Sequence, residues 1–275
     1  MLAAAAPTDT NEQSFLYPFD NTPAFDFLTG GALPGQPARV QQPVTTSPGP
    51  GGGGGGGGAT ACQSSAGFSS VSAARAGRGV RLSFSRRVSE PVDVDVFRVS
   101  EGRRVVRERL VARFRNRSES FTWNGVSNRG GGKRKRVGSG YYFVRYTMLR
   151  GGRRLDVRRK VLRRSAGRFS QRPDYYRRDT CDLLNKFKLE RPVFGGPRLN
   201  TLKAAYRVST DARVTVTILK GSRVVRRYAA ANRKARRTYR ITLPARSRAT
   251  GDYKVRLEAV SGRARVTSTL TARRL

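Results

Sequence analysis

The chain contains no histidine. That absence removes the usual Ser-His-Asp and Cys-His nucleophile systems, histidine general bases and every His-containing zinc site. Cysteine is almost missing too: Cys62 and Cys181 are the only two among 275 residues. Two thiolates cannot close a four-cysteine zinc site, and their wide separation rules out a CxxC redox pair. No run of 18 or more apolar residues occurs, so no segment reads as a membrane-spanning helix. The opening Met1-Leu2-Ala3-Ala4-Ala5-Ala6-Pro7 lacks the charged n-region and full apolar h-region of a secretory signal. Apolar residues other than glycine make up 37%, and the 30 glycines are needed to approach the usual share of roughly 45–50%, which counts glycine. Part of the chain is expected to lie outside any core. No catalytic residue, metal ligand set or cofactor site is expected, and the chain reads as non-enzymatic.

What is present is arginine. The chain carries 56 Lys and Arg against 18 Asp and Glu, for a net charge of +38, and Arg outnumbers Lys by 47 to 9. The charge is unevenly spread. Residues 1–60 hold one base, Arg39, and four acids, Asp9, Glu12, Asp20 and Asp26; residues 61–275 hold 55 bases and 14 acids. So basic a body attracts polyanions: nucleic acid, anionic lipid or an anionic cell-wall polymer. The skew toward Arg, Gly and Ala is equally what a GC-rich genome imposes on its codons, and the two readings stay open.

Residues 1–60 read as a disordered arm that ends in eight consecutive glycines, Gly51 to Gly58. Poly-glycine loses the most backbone entropy on ordering and has nothing to bury, so it serves as a tether. One patch of the arm differs, the aromatic-acidic stretch from Phe15 to Leu28. It reads either as a docking segment or as the end of an upstream domain.

Beyond residue 61 the pattern alternates. Val80, Leu82 and Phe84, then Val92, Val94 and Val96, then Phe121 and Trp123 are separated by polar residues. These are half-buried strands punctuated by Gly and Asn. Tyr175 to Lys188 is the best helical candidate, and it is short. Three blocks then recur in order. Val92-x-Val94-x-Val96, Arg104-Val105-Val106-Arg107 and Gly140-Tyr141-Tyr142-Phe143-Val144-Arg145 match Val214-x-Val216-x-Ile218, Arg223-Val224-Val225-Arg226 and Gly251-Asp252-Tyr253-Lys254-Val255-Arg256. A period near 100 residues with about seven short strands per unit fits a sandwich. The fold expected is all-β: two tandem immunoglobulin-like β-sandwiches, at 61–170 and 191–275, joined by a connector at 171–190.

The first unit resembles the FlgD Ig-like fold of the flagellar hook-capping family. The resemblance rests on Val92-Asp93-Val94-Asp95-Val96-Phe97, Arg104-Val105-Val106, Phe121-Thr122-Trp123-Asn124-Gly125, Gly130 and Gly140 to Arg145, and it spans Gly79 to Leu162. The second unit matches the outer blocks only and lacks Trp-Asn-Gly, so it reads as a diverged copy. The remainder of the hook-capping family has no counterpart here. Modules of this kind close large exported bacterial proteins, where they space or attach an upstream domain. The Arg-rich, Gly-tethered style is similar to secreted actinobacterial proteins. The resemblance implies an extracellular or cell-surface location and imports no catalytic residue.

The candidate sites each have two readings. Trp123, Asn124 and Gly125 are either an exposed sugar-binding aromatic or a core Trp entering an Asn-Gly turn. Alternation with Phe121 favours the core. Gly140 and Tyr142, with Gly251 and Tyr253, are structural positions of the repeat. Cys62 and Cys181 either bridge, as export would favour, or stay unpaired. Asp93 and Asp95 share one strand face and either bind Ca²⁺ or pair with Arg on a neighbouring strand. Lys133, Arg134, Lys135 and Arg136, and separately Arg158, Arg159 and Lys160, are candidate polyanion contacts. Tyr175 and Tyr176, beside Arg177, either stack on bases or pack the connector. The function expected is an accessory, spacer or attachment region of an exported protein that contacts an anionic envelope polymer. A basic nucleic-acid-binding protein is the alternative.

Overall fold

The computed structural model describes residues 66–130, 134–179, 181–196, 199–244 and 246–275. The arm and its poly-glycine, Cys62 and Lys133 lie outside the described residues. The described chain contains seventeen strands and no helix.

The first sandwich packs a three-stranded sheet against a five-stranded one. In the smaller sheet β2 (Gly79–Arg86) lies between β1 (Phe68–Ala76) and β5 (Phe121–Trp123). The larger sheet runs β4 (Arg104–Arg117), β3 (Val92–Glu101), β6 (Gly140–Arg150), β7 (Arg153–Ser165) and β8 (Arg168–Arg172). The period-two residues meet as the alternation requires. Val80 opposes Trp123 and Leu82 opposes Phe121, while Val94 and Val96 oppose Tyr146 and Val144. Their inward faces form one apolar cluster with Phe68, Met148, Leu162 and Phe169.

The second sandwich repeats the path. One sheet runs β15 (Tyr239–Pro244), β12 (Thr201–Arg207), β10 (Lys186–Leu189) and β9 (Tyr176–Arg178). The other runs β11 (Val193–Phe194), β17 (Ala264–Arg274), β16 (Gly251–Ser261), β13 (Ala212–Lys220) and β14 (Arg223–Arg233), with β11 parallel to β17. The order β10-β12-β15 mirrors β1-β2-β5, and β14-β13-β16-β17 mirrors β4-β3-β6-β7. The matched hairpins have the same register, Glu101 opposite Arg104 and Lys220 opposite Arg223. Both turns open on a glycine in the left-handed region, Gly102 at φ 54° and Gly221 at φ 61°. Glycine reaches that region without a Cβ penalty.

Both sandwiches also contain a tyrosine that ties the start of the β6-type strand to the chain before it. Tyr142 Oη donates to the Gly138 carbonyl at 2.5 Å, and Tyr253 Oη donates to the Ala249 carbonyl at 2.8 Å. A tyrosine at this corner is a hallmark of immunoglobulin-type sandwiches. It gives the repeated Gly-x-Tyr block a physical role.

The stretch 175–188 is not helical. It supplies β9 and β10, so residues expected to connect the sandwiches belong to a sheet of the second. Phe187 and Leu189 are buried while Lys186 and Lys188 are half-buried. This two-residue alternation suits a strand, and pairing with β12 on one side and β9 on the other fixes it there.

The larger sheet of the first sandwich is covered on both faces. Its outer residues Phe97, Val99, Tyr141, Phe143 and Val161 belong to the same apolar cluster as Tyr175, Leu184, Phe187 and Phe194 of the second sandwich. Phe97 and Phe143 stack at 4.8 Å, and Tyr175 leans on Phe143 at 5.9 Å. The junction between the sandwiches is therefore a continuous core.

Candidate polyanion-contact site

The sharpest sequence motif is structural. Trp123 is 3% exposed and tilts against Phe169 at 5.4 Å, with its Nε1 donating to the Val126 carbonyl at 2.8 Å. Asn124 Oδ1 accepts from the Val126 amide and shapes the turn. Gly125 has φ 80°, and a Cβ there would meet Phe169 at 3.1 Å. No sugar-binding face is open at this tryptophan.

Asp93 and Asp95 pair with arginines. Asp93 meets Arg115 and accepts from the Asn116 amide. Asp95, 3% exposed, accepts from Arg113 Nε and Arg145 Nη2, both at 2.7 Å. These arginines come from β4 and β6, the strands that flank β3. Burial works to raise the Asp95 carboxyl, and the two guanidinium hydrogen bonds with their charges outweigh it, holding it below the usual range.

The two basic runs separate in space. Lys135 and Arg136 line a depression of about 190 Å³ with Arg98, Arg109 and Arg129. Its loop is folded onto the chain: the Arg134 amide donates to the Ser127 carbonyl, the Ser127 amide to the Lys135 carbonyl, and Arg136 Nη1 to the Asn124 carbonyl. Arg158, Arg159 and Lys160 instead line a cleft of about 260 Å³ with Asp174, Tyr176, Arg177 and Arg178. The two depressions share no residue.

The second cleft is built by both sandwiches. One wall is β7, and the others are β9 and β17, which adds Ser268 and Thr269. The cation–carboxylate pattern is uneven. Lys160 Nζ sits 3.0 and 3.1 Å from the two Asp174 oxygens. Arg177 pairs with Asp182 and lies 3.7 Å from Asp179. Arg158 Nη1 donates to the Arg178 carbonyl at 2.5 Å, and its Nη2 lies 3.7 Å from Asp156. Arg159 lies over the Tyr176 ring at 5.2 Å. Neither Arg159 nor Arg178 has a carboxylate partner among the described residues. The sequence marks Arg177-Arg178, beside Tyr175 and Tyr176, as a dense basic cluster separate from Arg158, Arg159 and Lys160, and only β9 pairing brings it opposite β7.

Two further findings concern cysteine and ionisation. No free cysteine occurs among the described residues, Cys181 included. Lys188, on β10, is pushed down to about 8 by burial and by the charge of Arg159, against the pull of Glu190.

No family model matches the chain, and no curated protein matches it. The FlgD-type resemblance thus rests on the residues quoted above. Solved structures do match. A segment of two fibronectin type-III domains from chicken tenascin is 10% identical, covering 75% of this chain and 99% of that one, at a TM-score of 0.25. A BSP domain of a biofilm-associated protein is 10% identical, covering 74% of this chain and 29% of that one, at a TM-score of 0.23. Likenesses of that size leave the fold to rest on the sheets themselves.

Proposed function

We propose that the chain is a non-catalytic spacer or attachment region of an exported bacterial protein. In this reading the sandwiches are tandem copies of an Ig-like module of the FlgD type, the second diverged. They hold an upstream domain at a set distance from the cell surface and contact an anionic envelope polymer through basic clefts.

The observation that carries this reading is the continuous core between the sandwiches. A flexible string of beads would leave the outer face of β3 and β6 polar. Here Phe97, Tyr141 and Phe143 are 7%, 4% and 2% exposed. Arg172 Nη2 donates across the junction to Asp252 at 2.7 Å, and the Thr271 amide donates to the Asp174 carbonyl at 2.9 Å. A junction this apolar resists bending. We assign the bound state of Cys181 to a bridge with Cys62. In the chain-entropy picture, closing so long a loop contributes roughly 4–5 kcal/mol.

The alternative, nucleic-acid binding by base stacking, loses its best residues. Tyr175 is 1% exposed, and Tyr176 carries Arg159 on its ring.

The test is the inter-sandwich distance distribution. Spin labels go on non-natural residues at the exposed turns Arg103 and Arg263, so that neither cysteine is touched. A single narrow population is expected. A broad one would end the spacer reading.

A further inference from the structure

We propose that the cleft between the sandwiches binds the phosphodiester group of a base-free polymer, gripped by Arg158 and Arg159 on one wall and Arg178 on the other. The inference deepens the attachment reading by naming the chemistry of its ligand.

Three observations lead there. The first is unmatched charge. Of the five cations that line the cleft, Lys160, Arg177 and, at 3.7 Å from Asp156, Arg158 have a carboxylate partner, whereas Arg159 and Arg178 have none among the described residues. Arg159 Nε is buried without a hydrogen-bond partner. A desolvated guanidinium lacking an anion is costly, and an incoming anion supplies the missing acceptor. Glu108, whose charge reaches Arg159, forms no ion pair among the described residues, and burial pushes its carboxyl up.

The second is geometry. Donors approach from β7 and β9, and the hydroxyl residues Ser268 and Thr269 stand on the third wall. A planar carboxylate satisfies one arginine fork. A tetrahedral phosphate turns its non-bridging oxygens toward several walls at once. At about 260 Å³ the cleft falls below the roughly 300–1,000 Å³ that encloses a drug-sized molecule. It suits one charged group of a chain passing through.

The third is the state of the aromatics. Single-stranded nucleic acid is usually held by bases stacking on open rings. Tyr175 is in the core, and Arg159 lies against the Tyr176 ring. Among the described residues no open aromatic remains in the cleft, which leaves a backbone without bases.

The experiment titrates the full chain with inorganic pyrophosphate, poly(glycerol phosphate), poly-glutamate of equal charge and single-stranded DNA at about 0.15 M salt, where the Debye length is near 8 Å. The glycerol phosphate polymer and pyrophosphate are expected to bind, and poly-glutamate is expected not to compete. Arg178→Ala and Arg158→Gln should each weaken binding about tenfold. Arg263→Ala, at the exposed turn between β16 and β17, should change it less than about twofold. Thermal melts establish that each variant is folded. Equal loss in Arg178→Ala and Arg263→Ala would mean diffuse charge and overturn the site. Tighter binding of DNA than of the base-free polymer would make it a nucleic-acid contact instead. Absence of phosphate binding would also end the proposal, while the spacer reading stands or falls separately on the label distances.

Discussion

Tyr253 Oη donates to the Ala249 carbonyl across four residues, the same reach that takes Tyr142 Oη to Gly138. Both rings are buried, at 1% and 0% exposure. Each hydroxyl reaches from a buried ring to the carbonyl of an exposed residue, Gly138 or Ala249. Replacing either tyrosine by phenylalanine keeps the ring and removes the bond. A loss of about 1 kcal/mol is expected for Tyr142→Phe and again for Tyr253→Phe. Urea unfolding of the two variants and of the double variant checks this. The corners lie in different sandwiches, so the losses should add.

The glycines that begin the same two strands should differ. Gly140 has φ +146°, and a Cβ there would lie 2.2 Å from the Ser100 carbonyl oxygen. That neighbour is backbone and cannot move aside. Gly251 has φ +134°, but its Cβ would meet only the end of the Lys220 side chain, at 3.2 Å. Both substitutions carry backbone strain of roughly 1–3 kcal/mol. Gly140→Ala adds a clash and should cost clearly more than Gly251→Ala. Equal melting temperatures for the two variants would contradict the argument.

Period two made most of each sandwich legible. Val92, Val94 and Val96 declare an inward face, and the Arg-Val-Val-Arg hairpins return where the turn glycines place them. Trp123 could be assigned to the core from its alternation with Phe121, and Asp93 and Asp95 to arginines on the neighbouring strands. The junction was harder to read. Its signal is Tyr141-Tyr142-Phe143-Val144, an unbroken apolar run that marks a strand buried on both faces. What covers the outer face comes from residues 175–194, and their pairing depends on partners far along the chain. The strands there are only two to four residues long, Tyr176–Arg178, Lys186–Leu189 and Val193–Phe194, too short for their alternation to stand out from a short helix. The placement of Arg178 was hidden for the same reason: its neighbour across the cleft, Arg158, is brought there by tertiary packing alone.

Asp95 is expected to matter far more than the exposed acids. It is 3% exposed and holds two arginines. Asp95→Asn leaves both guanidiniums short of a counter-charge and should cost roughly 3 kcal/mol. Glu101, paired with the exposed Arg104, should cost about 0–1 kcal/mol when changed to Gln. The pH dependence follows from the sign of the shift. The folded carboxyl sits below its unfolded value of 3.8. Its stabilisation is fully present above that pH and is lost as pH falls through the lower folded value. The gap in urea midpoint between wild type and Asp95→Asn at pH 7 should narrow as pH is taken below 3.8.

Lys188 should also make stability rise with pH, at the alkaline end, because the fold disfavours its charge. It lies on β10 between Tyr176 and Ala205 of the neighbouring strands, half-buried near Arg159, Glu190, Arg240 and Glu108. Its folded value is about 8 against 10.5 for a free lysine. Between those limits the unfolded chain binds more protons, so stability rises with pH. From pH 8 to 9.5 the gain is at most about 2 kcal/mol, at roughly 1.4 kcal/mol per pH unit. The interval stops short of pH 10 because Tyr142 and Tyr206, raised by burial, stay neutral in the fold and pull the other way once unfolded tyrosine ionises. Lys188→Met removes the titrating group and keeps the side chain's length. Its unfolding free energy should therefore exceed that of wild type at pH 7, and the gap should narrow by pH 9.5. A gap that stays constant across the range would mean that Lys188 keeps an ordinary ionisation in the fold.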